Sequence, residues 1–296
     1  VVEFQYSDRN YARSLYFLEN SFEKDKLKIN FNVYSEQDNK NQPLQQELNE
    51  NEKRLLSEIG DDLDEALVSG IDTTEFINDQ VLYRLVDTLG FNDVLVYSKD
   101  PDSAKYKARF SLVGQGLGNY EQIRSDGNGR VFQWKQPING IPQGSYEPVI
   151  ILITPKKRQL ISLGGTYDFS KNTSLRLEGA FSNNDVNTFS SVDENDDKSY
   201  GILVDFKSSQ YLKKNDSSST LKWNSKIFYE QIGKNFQFIE RYRDVEFQRD
   251  WNIQALTLDG NEYITKVSTG LSKNSNFINY EVGSFIKGHD LSLIHI

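Results

Sequence analysis

Apolar and polar residues alternate along much of this chain. In residues 27–34 every odd-numbered position is apolar, and in residues 161–169 the odd-numbered positions are apolar or glycine. Further segments with this pattern are 175–181, 200–206, 221–229 and 278–286. Successive side chains of a β-strand point to opposite faces, so a period of two residues places the apolar side chains on one face. The pattern predicts a mainly β protein in which an antiparallel sheet carries one apolar face.

The predicted strands are long, and their connections alternate in length. Each strand has about 9–12 residues, close to the length of a tilted strand that crosses a bilayer, whereas strands of soluble proteins usually contain about 5–6. Short connections at 170–173 and 272–275 alternate with long ones such as 184–197. This alternation is typical of outer-membrane barrels, which have tight periplasmic turns and long external loops. We therefore expect the sheet to belong to an outer-membrane β-barrel.

The longest connection, residues 36–158, predicts a separate domain. A helical spacing of leucines begins after Pro43 and stops at Gly60, a residue type that often follows the last turn of a helix. The rest of the connection is rich in runs of β-branched and aromatic residues, which favour strands. We interpret 36–158 as a small extracellular α+β domain, inserted between a first barrel hairpin in 1–35 and further barrel hairpins in 159–290.

Two segments disturb the regular alternation of connections. The turn at 209–219 is longer than the alternation predicts. Residues 232–261 leave open whether an extra strand lies at 242–257, because the sequence Leu-Asp-Gly-Asn at 258–261 is typical of a hairpin turn. Such a strand would reverse the direction of every strand that follows it.

The two ends of the sequence favour an internal piece of a longer protein. The chain begins at Val1, contains no methionine and ends on the hexamer LSLIHI, residues 291–296. The codons CTG TCT CTT ATA CAC ATC encode this hexamer, and they resemble the end of a common transposon-based sequencing adapter. We expect residues 291–296 to be adapter read-through rather than a short terminal strand, and the barrel to be partial and open because it is truncated.

Composition excludes several classes of chemistry. The chain has no cysteine, which removes disulfides, thiolate nucleophiles and Cys-based zinc sites. Its only histidines are His289 and His295, so a Ser-His-Asp triad or a multi-His metal site has almost nothing to build from. The net charge of −9 and the lack of a basic stripe argue against a nucleic-acid partner. We expect no catalysis and no cofactor.

Residues 193–197, Asp-Glu-Asn-Asp-Asp, offer carboxylate and amide oxygens at alternate positions, as calcium-binding loops do. The sixth position is Lys198 rather than glycine, and no glutamate closes the loop at the twelfth position. The pattern favours a solvated external loop over a calcium loop, so we predict no metal site here.

The densest mixture of charged and aromatic residues lies at 241–251. On a strand, its three arginines would share a face with Phe247 and Trp251. The candidate luminal or rim charge cluster consists of Arg241, Arg243, Asp244, Glu246 and Arg249. One hypothesis is a charge ladder in a barrel lumen that selects what passes or docks, and the other is an ion-paired rim or an extended hairpin.

Three stretches resemble large Bacteroidota-type outer-membrane proteins of unassigned role. They are NVYSEQD at 32–38 followed by NQPL at 41–44, GSYEPV at 144–149, and RYRDVEF at 241–247. The resemblance spans most of the chain, and it implies a barrel fold and a place in the cell envelope. None of these stretches is a catalytic motif, so the resemblance transfers no active-site residue.

The first functional hypothesis is an integral outer-membrane β-barrel protein with a role in transport, secretion or surface display. Its partners would be outer-membrane lipid and other envelope proteins. The alternative is a secreted or periplasmic β-rich binding module, for glycans for example, whose apolar faces pack sheet on sheet. The two hypotheses differ in what covers the apolar face: lipid in the first, a second layer of protein in the other.

Overall fold

The computed structural model describes residues 2–7, 12–40, 46–126, 129–214, 220–254 and 258–295. The chain divides into two compact units. The first unit consists of Val1–Leu48, Leu56–Asp61 and Thr154–Ile296, and the second consists of Asn49–Leu55 and Asp62–Ile153. Within the described ranges, no helix has the length and the apolar content that crossing a membrane requires.

Strands dominate the described residues. In chain order they are β1 (Val2–Ser7), β2 (Ala12–Lys24), β3 (Leu27–Asp38), β4 (Leu67–Ser69), β5 (Ile71–Thr73), β6 (Leu82–Thr88), β7 (Phe91–Ser98), β8 (Tyr106–Ala108), β9 (Ser111–Leu112), β10 (Tyr120–Asp126), β11 (Gly129–Trp134), β12 (Tyr146–Glu147), β13 (Val149–Ile151), β14 (Lys157–Ser170), β15 (Thr173–Asp185), β16 (Lys198–Lys214), β17 (Thr220–Ile232), β18 (Glu262–Lys273), β19 (Asn276–Lys287) and β20 (Asp290–His295). The helices are α1 (Glu50–Glu58) and α2 (Phe247–Asp250), and a 3₁₀ turn spans Leu63–Glu65.

The first unit is built around one ten-stranded sheet. Its order is β1-β2-β3-β14-β15-β16-β17-β18-β19-β20, and every neighbouring pair is antiparallel. The eight strands between the two edge strands contain 12 to 17 residues each. No pairing joins β1 to β20 among the described residues, so the sheet is open. The prediction of a mainly β fold with a long-stranded antiparallel sheet is confirmed.

The two ends of this sheet differ in their connections. At one end, which we call the short-turn end, the connecting residues are 25–26, 171–172, 215–219 and 274–275. At the opposite, long-loop end, the connecting residues are 8–11, 39–156, 186–197, 233–261 and 288–289. Every long connection therefore leaves from the same end of the sheet, as the alternating lengths predicted.

Several boundaries differ from the expected ones. Residues 1–35 contain three strands rather than a single hairpin, because β1 pairs with β2. Most of the supposed long turn at 209–219 is strand, since β16 continues to Lys214. The described residues of 233–261 form no strand, so the extra strand at 242–257 does not appear there and the direction of the later strands is kept. Residues 255–257 lie outside the described ranges.

The end of the chain joins the sheet as β20, which pairs with β19 and includes residues 291–295 of the terminal hexamer. A short alternating apolar segment can pair with a sheet edge whatever its genetic origin. The adapter read-through therefore stays a prediction.

Strands are the main regular elements of the second unit. Its three small sheets have the orders β11-β10-β12-β9, β5-β8-β6-β7 and β13-β4. The buried residues Tyr83, Leu95, Tyr120 and Phe132 form its core. The hydroxyl oxygens of Tyr83 and Tyr120 accept the backbone N–H groups of Phe132 and Leu95, at 3.1 and 3.0 Å. The inserted segment, predicted to be an α+β domain, thus contains mainly strands. Its described helical residues are those of α1 and the 3₁₀ turn.

Helix α1 begins later than the leucine spacing suggested, and a cap explains why. The side-chain oxygen of Asn49 accepts the backbone N–H groups of Asn51 and Glu52, while the Glu52 carboxylate accepts the backbone N–H of Asn49. This reciprocal pair satisfies N–H groups that the first turn of a helix leaves without partners. At the other end, Gly60 has φ of +63°, a left-handed conformation that glycine adopts without strain.

We expect Asn49→Ala to lower the free energy of unfolding of the protein by about 0.5–2 kcal/mol, because the substitution removes the N-cap of α1. Chemical denaturation of the variant and the wild type measures the difference. The control is Asn51→Ala, which removes an exposed side chain with no part in the cap. Equal destabilisation by the two substitutions would contradict the role of the cap.

Candidate functional site

One face of the ten-stranded sheet is apolar from strand to strand. Directly paired residues of neighbouring strands point to the same face, so the register identifies the rows. One row contains Leu18, Val33, Ile161, Phe181 and Tyr200. A second row contains Leu175, Phe206, Ile227, Val267 and Val282. The apolar positions predicted from the alternation thus lie together on one surface.

The apolar face is exposed in the chain as it stands. Leu163 is 58% exposed, Tyr200 is 52% exposed and Ile227 is 46% exposed. Other exposed residues of this face are Phe31, Leu177, Ile202, Trp223, Val267, Ile278 and Tyr280. Monomeric soluble proteins rarely expose contiguous apolar patches larger than a few hundred Å². A face of this kind needs a partner that removes it from water.

The opposite face of the sheet is polar. Asn32 on β3 donates a hydrogen bond from Nδ2 to Ser162 Oγ on β14 at 3.2 Å. Arg176 and Glu178 on β15 form an ion pair at 2.5 Å. Along each strand these polar residues alternate with the residues of the apolar rows. Their side chains therefore point to the opposite face of the sheet. This face is compatible with contact with water.

Residues 233–254, which we call the covering segment, lie against the polar face. The backbone N–H of Gln237 donates to Ser182 Oγ on β15 at 3.2 Å. The guanidinium of Arg158 on β14 donates to the carbonyl oxygen of Phe238. The connection between β17 and β18 thus turns back over the sheet instead of extending away from the long-loop end.

The second half of the covering segment is fixed by apolar packing. Trp251 is buried together with Ile264 on β18 and Phe285 on β19, and Phe247 packs against this cluster. The ring centroids of Trp251 and Phe285 are 5.6 Å apart. Because Ile264 and Phe285 are apolar residues on the polar face, the aromatic side chains of the segment cover the apolar part of that face.

Arg243 joins the covering segment to two carboxylates of the sheet. Its guanidinium forms an ion pair with Glu230 on β17 at 2.5 Å and a second ion pair with Glu262 on β18. The same guanidinium lies over the ring of Phe247, 4.5 Å from its centroid. Glu230 is buried, and a buried carboxylate is stable only when it is paired.

Tyr242, the residue before Arg243, completes this cluster. Its hydroxyl donates to the carboxylate of Glu230. Burial raises the pKa of Tyr242, and the hydrogen bond to Glu230 raises it further. The phenol therefore stays protonated at neutral pH and acts as a donor to Glu230.

The other members of the predicted charge cluster lie apart from the sheet carboxylates. Arg241 donates to the backbone carbonyl of Arg243 at 3.0 Å, and Arg249 pairs with Glu246 and Asp250. The Asp244 carbonyl accepts the backbone N–H of Phe247 at 3.2 Å, just before α2. Of the five predicted residues, only Arg243 forms a described ion pair with the sheet.

Residues 241–251 do not form the strand that a shared face of the three arginines would require. The described residues form an irregular segment followed by α2, so their side chains do not alternate between two faces. Phe247 and Trp251 are four residues apart, which is the spacing of neighbouring side chains on a helix. This spacing is the sequence signal that favours a helical turn over a strand here. The acceptors Glu230 and Glu262 were missed, because each is an ordinary polar position within an alternating strand.

Three carboxylates form a further cluster at the long-loop end. One oxygen each from Asp61, Asp185 and Asp197 lies within 4.8 Å of the others. Asp61 follows α1, Asp185 is the last residue of β15, and Asp197 immediately precedes β16. Burial, followed by the negative charges of Asp185 and Asp61, raises the pKa of Asp197 to about 7. The acidic run at 193–197 thus places one carboxylate inside the protein and leaves its first four residues exposed.

Comparison of the chain with protein-family models, with curated proteins and with solved structures gives no match.

Proposed function

We propose that this chain is part of an integral outer-membrane β-barrel protein with a role in transport, secretion or surface display. The exposed apolar face of the long-stranded sheet is the observation that carries the proposal. In this arrangement the apolar rows contact lipid, and the polar face lines the lumen. A barrel satisfies the backbone groups of its strands by pairing them with one another, which is a requirement in hydrocarbon.

Two other features support the proposal. Strands of 12 to 17 residues exceed the length that is common in soluble proteins and are sufficient for tilted strands that cross a bilayer. The long connections all leave from one end of the sheet, as external loops of such barrels do. A closed barrel requires that β1 and β20 are paired, either with each other or with further strands, because an open edge is unstable in lipid.

The alternative is a secreted or periplasmic binding module in which a second sheet covers the apolar rows. The covering segment favours the barrel over this alternative. It lies on the polar face, where a luminal loop would be, and its aromatic residues leave the apolar rows exposed.

We expect the complete protein to remain in the membrane fraction after a carbonate wash and to require detergent for extraction. Expression of the complete gene, followed by membrane fractionation and immunoblotting, tests this expectation. A soluble periplasmic protein serves as the control for release by the wash. Recovery of the complete protein in the soluble fraction would exclude the barrel and support the binding module.

A further inference from the structure

The three-carboxylate cluster at the long-loop end has the donor set of a hard divalent cation. Asp61, Asp185 and Asp197 come from three separate segments, and their oxygens lie within 4.8 Å of one another. Three carboxylates so close together repel one another unless protons or a cation offset their charge. An all-oxygen set is typical of calcium and magnesium sites, whereas zinc is usually held by nitrogen and sulfur.

Asp197 provides an independent indication of a ligand. Asp197 is only 6% exposed, and its Oδ1 atom has no hydrogen-bond partner among the described residues. Burial of a carboxylate oxygen without a donor costs free energy, and such oxygens in proteins are usually paired or coordinate a metal. Lys40 and Lys157 act electrostatically on Asp185, and the Lys40 ammonium group donates to the carbonyl oxygen of Thr188.

Asn187 supplies a second unpartnered oxygen beside the cluster. Its backbone N–H donates to Asp185 Oδ1 at 2.9 Å. Its side-chain NH₂ group donates to the carbonyls of Leu56 and Gly60, at 2.7 and 2.6 Å, and Gly60 directly precedes Asp61. These two bonds fix the orientation of the amide and leave its Oδ1 atom buried, with no hydrogen-bond partner in the described part of the chain. Amide oxygens are common ligands of calcium.

We propose that Asp61, Asp185 and Asp197 bind a calcium ion, with Asn187 Oδ1 as an additional oxygen ligand. The ion offsets the repulsion between the carboxylates and links the segment that follows α1 to the end of β15 and to the residue before β16. This site lies within the first unit and does not depend on whether the apolar face contacts lipid. Calcium is favoured over magnesium because its coordination sphere accepts ligands of irregular geometry, such as these from three segments.

The test measures binding and stability in the complete protein after removal of divalent ions with a chelator. Isothermal titration with calcium chloride is expected to show one site, and calcium is expected to raise the melting temperature by several degrees. We expect Asp197→Asn to weaken calcium binding at least tenfold and to abolish the rise in melting temperature. Because this substitution removes a buried charge, the variant without calcium is expected to be at least as stable as the wild type without calcium.

The control substitution is Asp193→Asn, four residues earlier in the same loop, where the carboxylate is exposed. We expect this variant to bind calcium like the wild type. Calcium-independent melting of the wild type, or equal affinity of Asp197→Asn and the wild type, would overturn the site. An equal response to magnesium chloride at the same concentration would overturn the assignment to calcium.

Discussion

Replacement of Arg243 by alanine is expected to lower the free energy of unfolding by about 3–5 kcal/mol, the usual effect of removing one partner of a buried ion pair. Glu230 is buried, and Arg243 is its only described cationic partner. The substitution leaves that carboxylate with Tyr242 alone, and it also removes an ion pair from Glu262. Urea denaturation of the complete protein, followed by tryptophan fluorescence, measures the loss.

Arg241→Ala is the matched control for this prediction. Arg241 carries the same charge two residues earlier, but its described contact is a hydrogen bond to the Arg243 carbonyl. We expect Arg241→Ala to cost less than about 1 kcal/mol, as exposed polar substitutions usually do. In the Arg243→Ala background, Glu230→Gln is expected to restore part of the stability, because it removes the unpaired charge. Equal effects of the two arginine substitutions would show that the ion pairs are unimportant.

Introduction of a charge on the apolar face is expected to be the second large effect. We expect Phe31→Arg to destabilise the complete protein by about 2–4 kcal/mol, the cost of an arginine on the lipid-facing side of a barrel near the centre of the bilayer. Phe31 pairs with Leu163 near the middle of β14, so both residues are far from the ends of their strands. Unfolding in detergent or lipid vesicles measures the change in free energy.

The adjacent residue on the same strand provides the control. Asn30 points to the polar face and is exposed, so Asn30→Arg places the same charge at the same depth on the opposite side of the sheet. We expect this variant to lose less than about 1 kcal/mol. If Asn30→Arg were as damaging as Phe31→Arg, the two faces would not differ in environment, and the proposed orientation of the sheet would be incorrect.

The long central strands were predictable because alternation is a local property. In β3 and β14 the apolar residues recur at every second position, so each segment by itself indicates a strand with two different faces. The register then places Val33 opposite Ile161, as expected for strands that share an apolar face. Strand β1 was missed, because it has six residues, too few for a convincing pattern.

The two clusters of charged groups could not be predicted, because they depend on contacts between distant parts of the chain. Arg243 meets Glu230 and Glu262 only after the covering segment turns back over the sheet. The metal candidate requires Asp61, which is separated in sequence from Asp185 by residues 62–153 of the second unit. The spacing within 193–197 therefore argues only against a local calcium loop and carries no information about ligands that come from three segments.

The covering segment also has a mechanical consequence for the sheet. It contacts β14 through the hydrogen bond between Arg158 and Phe238, and it contacts β19 through the packing of Trp251 against Phe285. Four strands lie between β14 and β19 in the sheet. Bending or flattening of the sheet changes the distance between these two contacts, so a change in curvature strains at least one of them. The covering segment thus acts as a cross-link that resists deformation of the sheet.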